Sequence, residues 1–169
     1  QPRGKALGGS SSINGMMYIR GDRQDYDDWA AAGNAGWSYA EVLPYFKKSE
    51  NNEFWGASIF HGAGGPLNVA DVHEPSVYGR AFVEAGIQAG HPPNPDFNGD
   101  HQWGVGLTQV TQKNGERCST AKGFLTPNLG RPNLQVITRA RTTRILMQGK
   151  RAVGVEYCDA NGKIQQLKA

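Results

Sequence analysis

Apolar positions recur at helical spacing in three stretches of the chain. The stretch 22–32 opens on Asp22, suited to cap a helix N-terminus, loads its early turns with Asp25, Asp27 and Asp28, and is followed by Gly33. A second helix is predicted from Ser38, where Ser38 and Glu41 have capping-box spacing and Trp37 is placed to staple onto the residues that follow. Val42, Leu43, Tyr45 and Phe46 supply its buried face, Pro44 should kink or divide it, and Lys47 and Lys48 suit its C-terminal dipole. The third helix is expected over 75–89, with Val77, Tyr78, Ala81, Phe82 and Ala85 as its apolar stripe and Gly90 as its stop.

Between these the pattern breaks down into connections. Residues 51–65 and 91–100 read as irregular, 66–69 as a short strand, and 106–112 as a strand with both faces partly covered. The last third changes period. Residues 134–138, 142–148 and 152–157 are β-prone runs, and Asp159-Ala160-Asn161-Gly162 is a hairpin turn leading into 164–167. The expected class is α+β, with helices and loops in the first two thirds and an antiparallel β meander at the C-terminal end.

Composition narrows the possibilities. Only 38% of the 169 residues are hydrophobic, and 23 glycines with 9 prolines imply a loop-rich protein. A net charge of +3, with basic residues scattered apart from Arg139, Arg141 and Arg144, argues against a nucleic-acid surface. Cys118 and Cys158 cannot form a disulfide framework, and no Cys/His spacing resembles a zinc site. The Asp25–Asp28 cluster lacks the glycine and distal glutamate of a calcium loop, so no metal is expected. No apolar run approaches membrane-spanning length, so no integral membrane segment is expected. Reduced thiols suggest a cytoplasmic parent, with peripheral membrane association left open.

The candidate chemistry lies near the N-terminus, in RGKALGGSSSINGMMYIRGDRQDYD. Gly8 and Gly9 can take positive φ and bring main chain against a ligand, while Ser10, Ser11, Ser12 and Asn14 add small hydrogen-bonding groups. No acidic residue lies between Arg3 and Gly21, so an anion would not be repelled there. A Gly/Ser run alone can be a solvated linker. Here it is flanked by Leu7 and by Ile13, Met16, Met17, Tyr18 and Ile19, and a linker has no such flanks.

The run from Gly4 to Asn14, with Tyr18, Gly21 and Asp27 at matching intervals, resembles the first signature of the glucose-methanol-choline oxidoreductases. Further landmarks follow in family order: Gly36-Trp37, Pro44 to Lys47, His61-Gly62, Gly65-Pro66-Leu67 with Val69, Asp96 to Gly99, Gly104 to Gly106, Gln109, Gly115, Arg117 with Ser119, and Arg131 to Leu134. The resemblance covers essentially the whole chain and is nearest the bacterial choline-dehydrogenase-like and aliphatic-alcohol-dehydrogenase branch. It implies FAD as cofactor and a primary alcohol, choline-like or aliphatic, as the small-molecule substrate.

The resemblance also implies an organisation. Residues 1–34 would be a flavin-contacting loop and helix, 35–130 part of the substrate-binding region, and 131–169 a meander of the FAD-binding domain. Flavin contacts would fall on Ser10, Asn14, Gly15 and Met17, largely through main chain, and an adenine contact on the main chain of Thr142. Ile13 stands where some members carry a flavin-linked histidine, which implies non-covalent FAD.

The family's Gly-x-Gly-x-x-Gly would precede Gln1 and its catalytic histidine would follow Ala169. The chain is therefore expected to be an inactive interior fragment without a catalytic residue of its own. Its uncovered apolar surfaces could drive self-association, and its oligomeric state is left open. His61, His73, His91 and His101 all sit in turn-rich segments and read as surface or capping residues. The alternative to an oxidoreductase is a non-redox α+β module that holds a phosphate-bearing ligand on the Gly/Ser loop.

Overall fold

The computed structural model describes residues 2–169. It forms two compact units, one up to Asn128 and one over Leu129–Ala169. In the first, a 3₁₀ turn over Gly9–Ser12 leads into α1 (Arg23–Ala31) and α2 (Tyr39–Ser49). Both helices start at the sequence-predicted caps. Asp22 accepts from the Gln24 N–H at 2.9 Å while Asp25 accepts from the Asp22 N–H at 3.1 Å, and Glu41 accepts from the Ser38 N–H at 3.1 Å. The two helices meet through aromatic side chains: Tyr26 against Tyr39 and Phe46, and Trp29 edge-on to Trp37 with centroids 5.7 Å apart.

Pro44 does not divide α2, which runs as one helix of 11 residues. The structure also corrects its buried face: Val42, Leu43 and Phe46 are half-buried, but Tyr45 is 71% exposed. The stretch read as loop from Asn51 begins instead in β1 (Glu50–Asn52), which pairs in parallel with β2 (Leu67–Val69).

The third helix, α3 (Val77–Gln88), is capped by Ser76, whose hydroxyl accepts from the Gly79 N–H. Its expected apolar stripe faces outward, with Val77, Tyr78 and Phe82 all more than 70% exposed. The packed face runs instead through Gly79, Val83 and Gly86. A Cβ on Gly86 would lie only 3.0 Å from Val105, so the absence of a side chain is what lets the helix approach that segment.

The expected strand over 106–112 is not continuous, because successive peptides bond to different neighbours. Val105 bonds to Pro92 and Asn94, Val110 to Ala70, and residues 109 and 111 to residues 18 and 16. Only Gln112–Lys113 forms a strand, β3, in a small hairpin with β4 (Glu116–Arg117). A single turn of π-helix, Ala121–Leu125, and a 3₁₀ turn, Thr126–Asn128, end the unit.

The second unit is the antiparallel sheet β5-β6-β7, formed by Arg141–Gln148, Arg151–Cys158 and Ile164–Lys168. Its second turn is tied by the Gly162 N–H to the Asp159 carbonyl at 3.0 Å, with Gly162 at φ 80°. The β-prone run 134–138 is not a strand. Arg139, at φ 53°, turns the chain immediately before β5 and separates that run from the ladder.

The centre of the first unit is polar. Among the described residues its buried apolar side chains are few, Val69, Ala70, Val110 and Cys118, whereas Arg20, Glu50, Asn52, His61, Asn68, Asn94, Asn98 and Gln109 are all buried. No helix among the described residues is long and apolar enough to cross a membrane.

Candidate functional site

The Gly/Ser run is a folded loop whose hydroxyl groups hold its own main chain. Gly8 and Gly9 adopt φ of 88° and 55°. Gly4 packs so closely under the loop that a Cβ there would come within 2.1 Å of the Gly9 carbonyl oxygen. The Ser10 hydroxyl accepts from the Gly4 N–H, the Ser11 hydroxyl donates to the Gly8 carbonyl and accepts from the Thr120 N–H at 2.9 Å, and the Ser12 hydroxyl donates to the Leu7 carbonyl at 2.7 Å. The small hydroxyl side chains therefore rigidify the bend, a role beyond flexibility or polarity.

Beyond the bend, Asn14 accepts from the Met16 N–H at 3.1 Å and from the Arg117 guanidinium at 2.7 Å. Arg117 also donates to the Ser11 carbonyl. Met16 sits at φ 64°, an uncommon conformation for this residue type, and residues 16–18 then run antiparallel to 109–111. The Thr111 N–H donates to Met16 at 2.8 Å, and the Tyr18 N–H donates to Gln109 at 2.9 Å.

The structure brings Ser10, Asn14, Gly15 and Met17 together along one short, exposed stretch of main chain. A Cβ built on Gly15 meets nothing within 4 Å, and Met17 is 67% exposed. Thr142 lies in the second unit, exposed on β5 and opposite Tyr157, next to a register irregularity at Thr143. A flat, polar dinucleotide fits the first four residues. Their backbone is held from behind by Arg117, Thr120 and the 109–111 segment, and the space in front of Gly15 is open.

The first unit also holds a buried ionic cluster that sequence reasoning missed. Glu50, with its side chain fully buried, accepts from Arg20 at 2.7 Å, from His61 Nδ1 at 3.0 Å, from Asn52 at 3.0 Å and from the Gly62 N–H at 2.9 Å. His61 Nε2 donates to Asp96 at 2.8 Å. His61 is thus neither a surface nor a capping residue: it is 1% exposed, has a carboxylate on each ring nitrogen, and lies parallel to the Trp55 ring. Its one sequence signal is the following Gly62, where a Cβ would fall 1.9 Å from the Lys47 carbonyl oxygen. Among the described residues no group of three or more His, Cys, Asp or Glu side chains could hold a metal ion.

Burial disfavours the charged His61 ring, but its hydrogen bonds to Asp96 and Glu50 and the charges of both carboxylates outweigh that cost and raise its pKa from 6.5 to about 9. Burial likewise pushes Glu50 and Asp96 upward. It is overcome in Glu50 by the hydrogen bonds from His61, Asn52 and the Gly62 N–H, and in Asp96 by His61, so both finish below their ordinary values.

The sign of the linkage follows. A raised His61 pKa gives stability that is complete below pH 6.5 and is lost as pH rises through about 9. The lowered carboxylate pKa values give stability present above their ordinary 4.5 and 3.8 and lost on further acidification. The melting temperature of the protein is expected to fall on the alkaline side as pH passes about 9, and His61→Gln should flatten that limb. An alkaline limb identical in the variant would refute the assignment.

A protein-family model described as GMC oxidoreductase matches residues 1–169. The chain is 48% identical over 167 residues to the alcohol dehydrogenase [acceptor] of Pseudomonas putida, which covers 99% of this chain and 30% of that protein. It is 50% identical over 159 residues to the oxygen-dependent choline dehydrogenase of Paraburkholderia xenovorans, covering 92% of this chain and 28% of the other. Among solved structures, an FAD-dependent oxidoreductase from Chaetomium thermophilum superimposes with a TM-score of 0.89 at 30% identity, over 99% of this chain and 31% of that one. The chain therefore spans under a third of the length of each of these proteins.

Proposed function

The chain belongs to the GMC oxidoreductase family, and on that premise we propose that it is an interior part of an FAD-dependent enzyme that oxidises a primary alcohol, choline-like or aliphatic, to the aldehyde. The observation that carries this reading is the pinned, exposed main chain at Ser10, Asn14, Gly15 and Met17, with open space in front of Gly15. Bound FAD would supply the hydride acceptor. This chain's residues would hold it: Ser10, Asn14, which is fixed by Arg117, Gly15 and Met17 near the pyrophosphate and the flavin ring, with the main chain of Thr142 at the adenine. Residues 35–130 would contribute part of the substrate wall.

The base that takes the hydroxyl proton lies outside these residues. His61 is unsuited to that role, because both of its ring nitrogens already face carboxylates and it holds its proton to about pH 9. On this reading the 169 residues alone would be inactive. Ile13 at the position next to Asn14 offers no nitrogen to a flavin carbon, so the cofactor is non-covalent.

The full-length protein tests this. Purified anaerobically, it is expected to be yellow, to bleach on addition of choline or a primary alkanol, and to release all of its flavin into the supernatant on acid precipitation. A colourless protein, or one whose flavin is not reduced by either alcohol class, would contradict the activity. Flavin retained in the acid pellet would contradict the non-covalent attachment.

A further inference from the structure

Arg117 holds the segment that presents Gly15 and Met17 at Asn14 and Asn98 holds it at the Tyr18 carbonyl, and between them residues 109–111 fix it through the two main-chain hydrogen bonds at Met16 and Tyr18. The placement of Met16 to Tyr18 thus depends in part on what fixes residues 109–111. Val110 is bridged on its other side to Ala70, with hydrogen bonds of 3.0 and 2.9 Å. Gln109, whose carbonyl takes the Tyr18 N–H, is 8% exposed and has each end of its amide matched. Its Oε1 accepts from Asn52 at 2.8 Å, and its Nε2 donates to Asp71 at 2.7 Å. Asn52 in turn donates to Glu50, the centre of the buried ion cluster.

A side chain needed only to fill space at this position would be apolar, because burying an amide costs free energy that its hydrogen bonds only recover. What the amide adds is direction. Toward Asn52 it both accepts, at 2.8 Å, and donates, at 3.4 Å, but toward Asp71 it can only donate, and that carboxylate fixes its orientation. The charged residue beside it, Asp71, is exposed, whereas Glu50 lies one residue further on through Asn52.

We propose that Gln109 is a positioning residue, whose side-chain amide fixes its own main chain and thereby sets how far the strand of residues 16–18, and with it Gly15 and Met17, stands from the flavin. This rests on the flavin-cradle reading above. Gln109 touches no cofactor atom and acts only through the Tyr18 N–H and the bridge beside it.

The test uses the full-length protein stripped of flavin and titrated with FAD. Gln109→Glu keeps the size of the side chain and the acceptor toward Asn52 but sets a carboxylate against Asp71. It is expected to weaken FAD binding about tenfold and to shift the visible flavin bands of the saturated protein. Adding Asp71→Asn restores a donor opposite an acceptor and should return both affinity and band positions to within about threefold of wild type. Asp71→Ala, at an exposed position that does not endanger folding, should give a smaller shift in the same direction.

Wild-type affinity and bands in Gln109→Glu, or in Asp71→Ala if the first variant fails to fold, would overturn the proposal. So would a loss in Gln109→Glu that Asp71→Asn does not repair, because general damage would not be reversed by changing one exposed carboxylate. A wild-type protein that binds FAD and is sensitive to Gly15→Phe but not to these variants refutes Gln109 alone. A wild-type protein that binds no FAD refutes the cradle itself and this proposal with it.

Discussion

Replacing Glu50 with alanine is expected to cost the first unit about 3–5 kcal/mol, because it leaves Arg20 buried with uncompensated charge and takes from His61 one of its two carboxylates. Two features make this larger than an ordinary ion-pair deletion. The Glu50 side chain is fully buried and Arg20 is only 2% exposed, so water cannot replace the lost carboxylate. Glu50 also accepts from Asn52 and from the Gly62 N–H, and the Gly62 N–H would be orphaned with it. Against a typical domain stability of about 5–15 kcal/mol, the loss is a large part of the whole.

A surface control defines the contrast. Glu156 pairs at 2.9 Å with Arg144, which is 63% exposed, and Glu156→Ala should cost far less than Glu50→Ala because water can reach the partner left behind. Urea unfolding of the full-length protein, followed by near-UV circular dichroism, would compare the two. A Glu50→Ala loss as small as that of Glu156→Ala would mean that the ionic centre does not hold the unit together.

How much of this could be read from the chain depended on how far apart the interacting residues lie. The caps of α1 and α2 were legible because both partners fall within one turn, as in Asp22 with Asp25 and Ser38 with Glu41. The Asp159 to Gly162 turn was legible for the same reason. The packed face of α3 was not, because a hydrophobicity pattern favours Val77, Tyr78 and Phe82, whereas this helix is drawn in by Gly86 meeting Val105.

The ionic centre was illegible for a stronger reason. Arg20, His61 and Asp96 reach it from positions 30, 11 and 46 residues away from Glu50, and no local pattern links them. In the candidate site the glycines and the small hydroxyl residues were visible as a motif. Their partners were not: Thr120 is 109 residues from Ser11, and Arg117 is 103 from Asn14. What remained hidden was that the serines brace the loop from within and that Arg117 braces it from behind.

Gly15 gives the sharpest separation between stability and cofactor binding. Its Cβ direction is empty, its residue is exposed, and its φ lies outside the left-handed region where a side chain would be strained. A phenylalanine there should therefore leave folding within about 0.5 kcal/mol of wild type, as for most surface changes. The same ring would occupy the space in which the flavin is placed. Displacing the cofactor from that face should weaken binding by about a hundredfold or more, equivalent to about 2.7 kcal/mol.

FAD titration of the flavin-free full-length protein, wild type against Gly15→Phe, with the thermal melt of both taken alongside, tests whether the bend and the strand after it form the flavin face. The structure predicts superimposable melts of the flavin-free proteins and an affinity at least about a hundredfold weaker in the variant. Equal affinity for FAD, with both proteins equally folded, would show that the cofactor does not lie against Gly15 and would contradict the account.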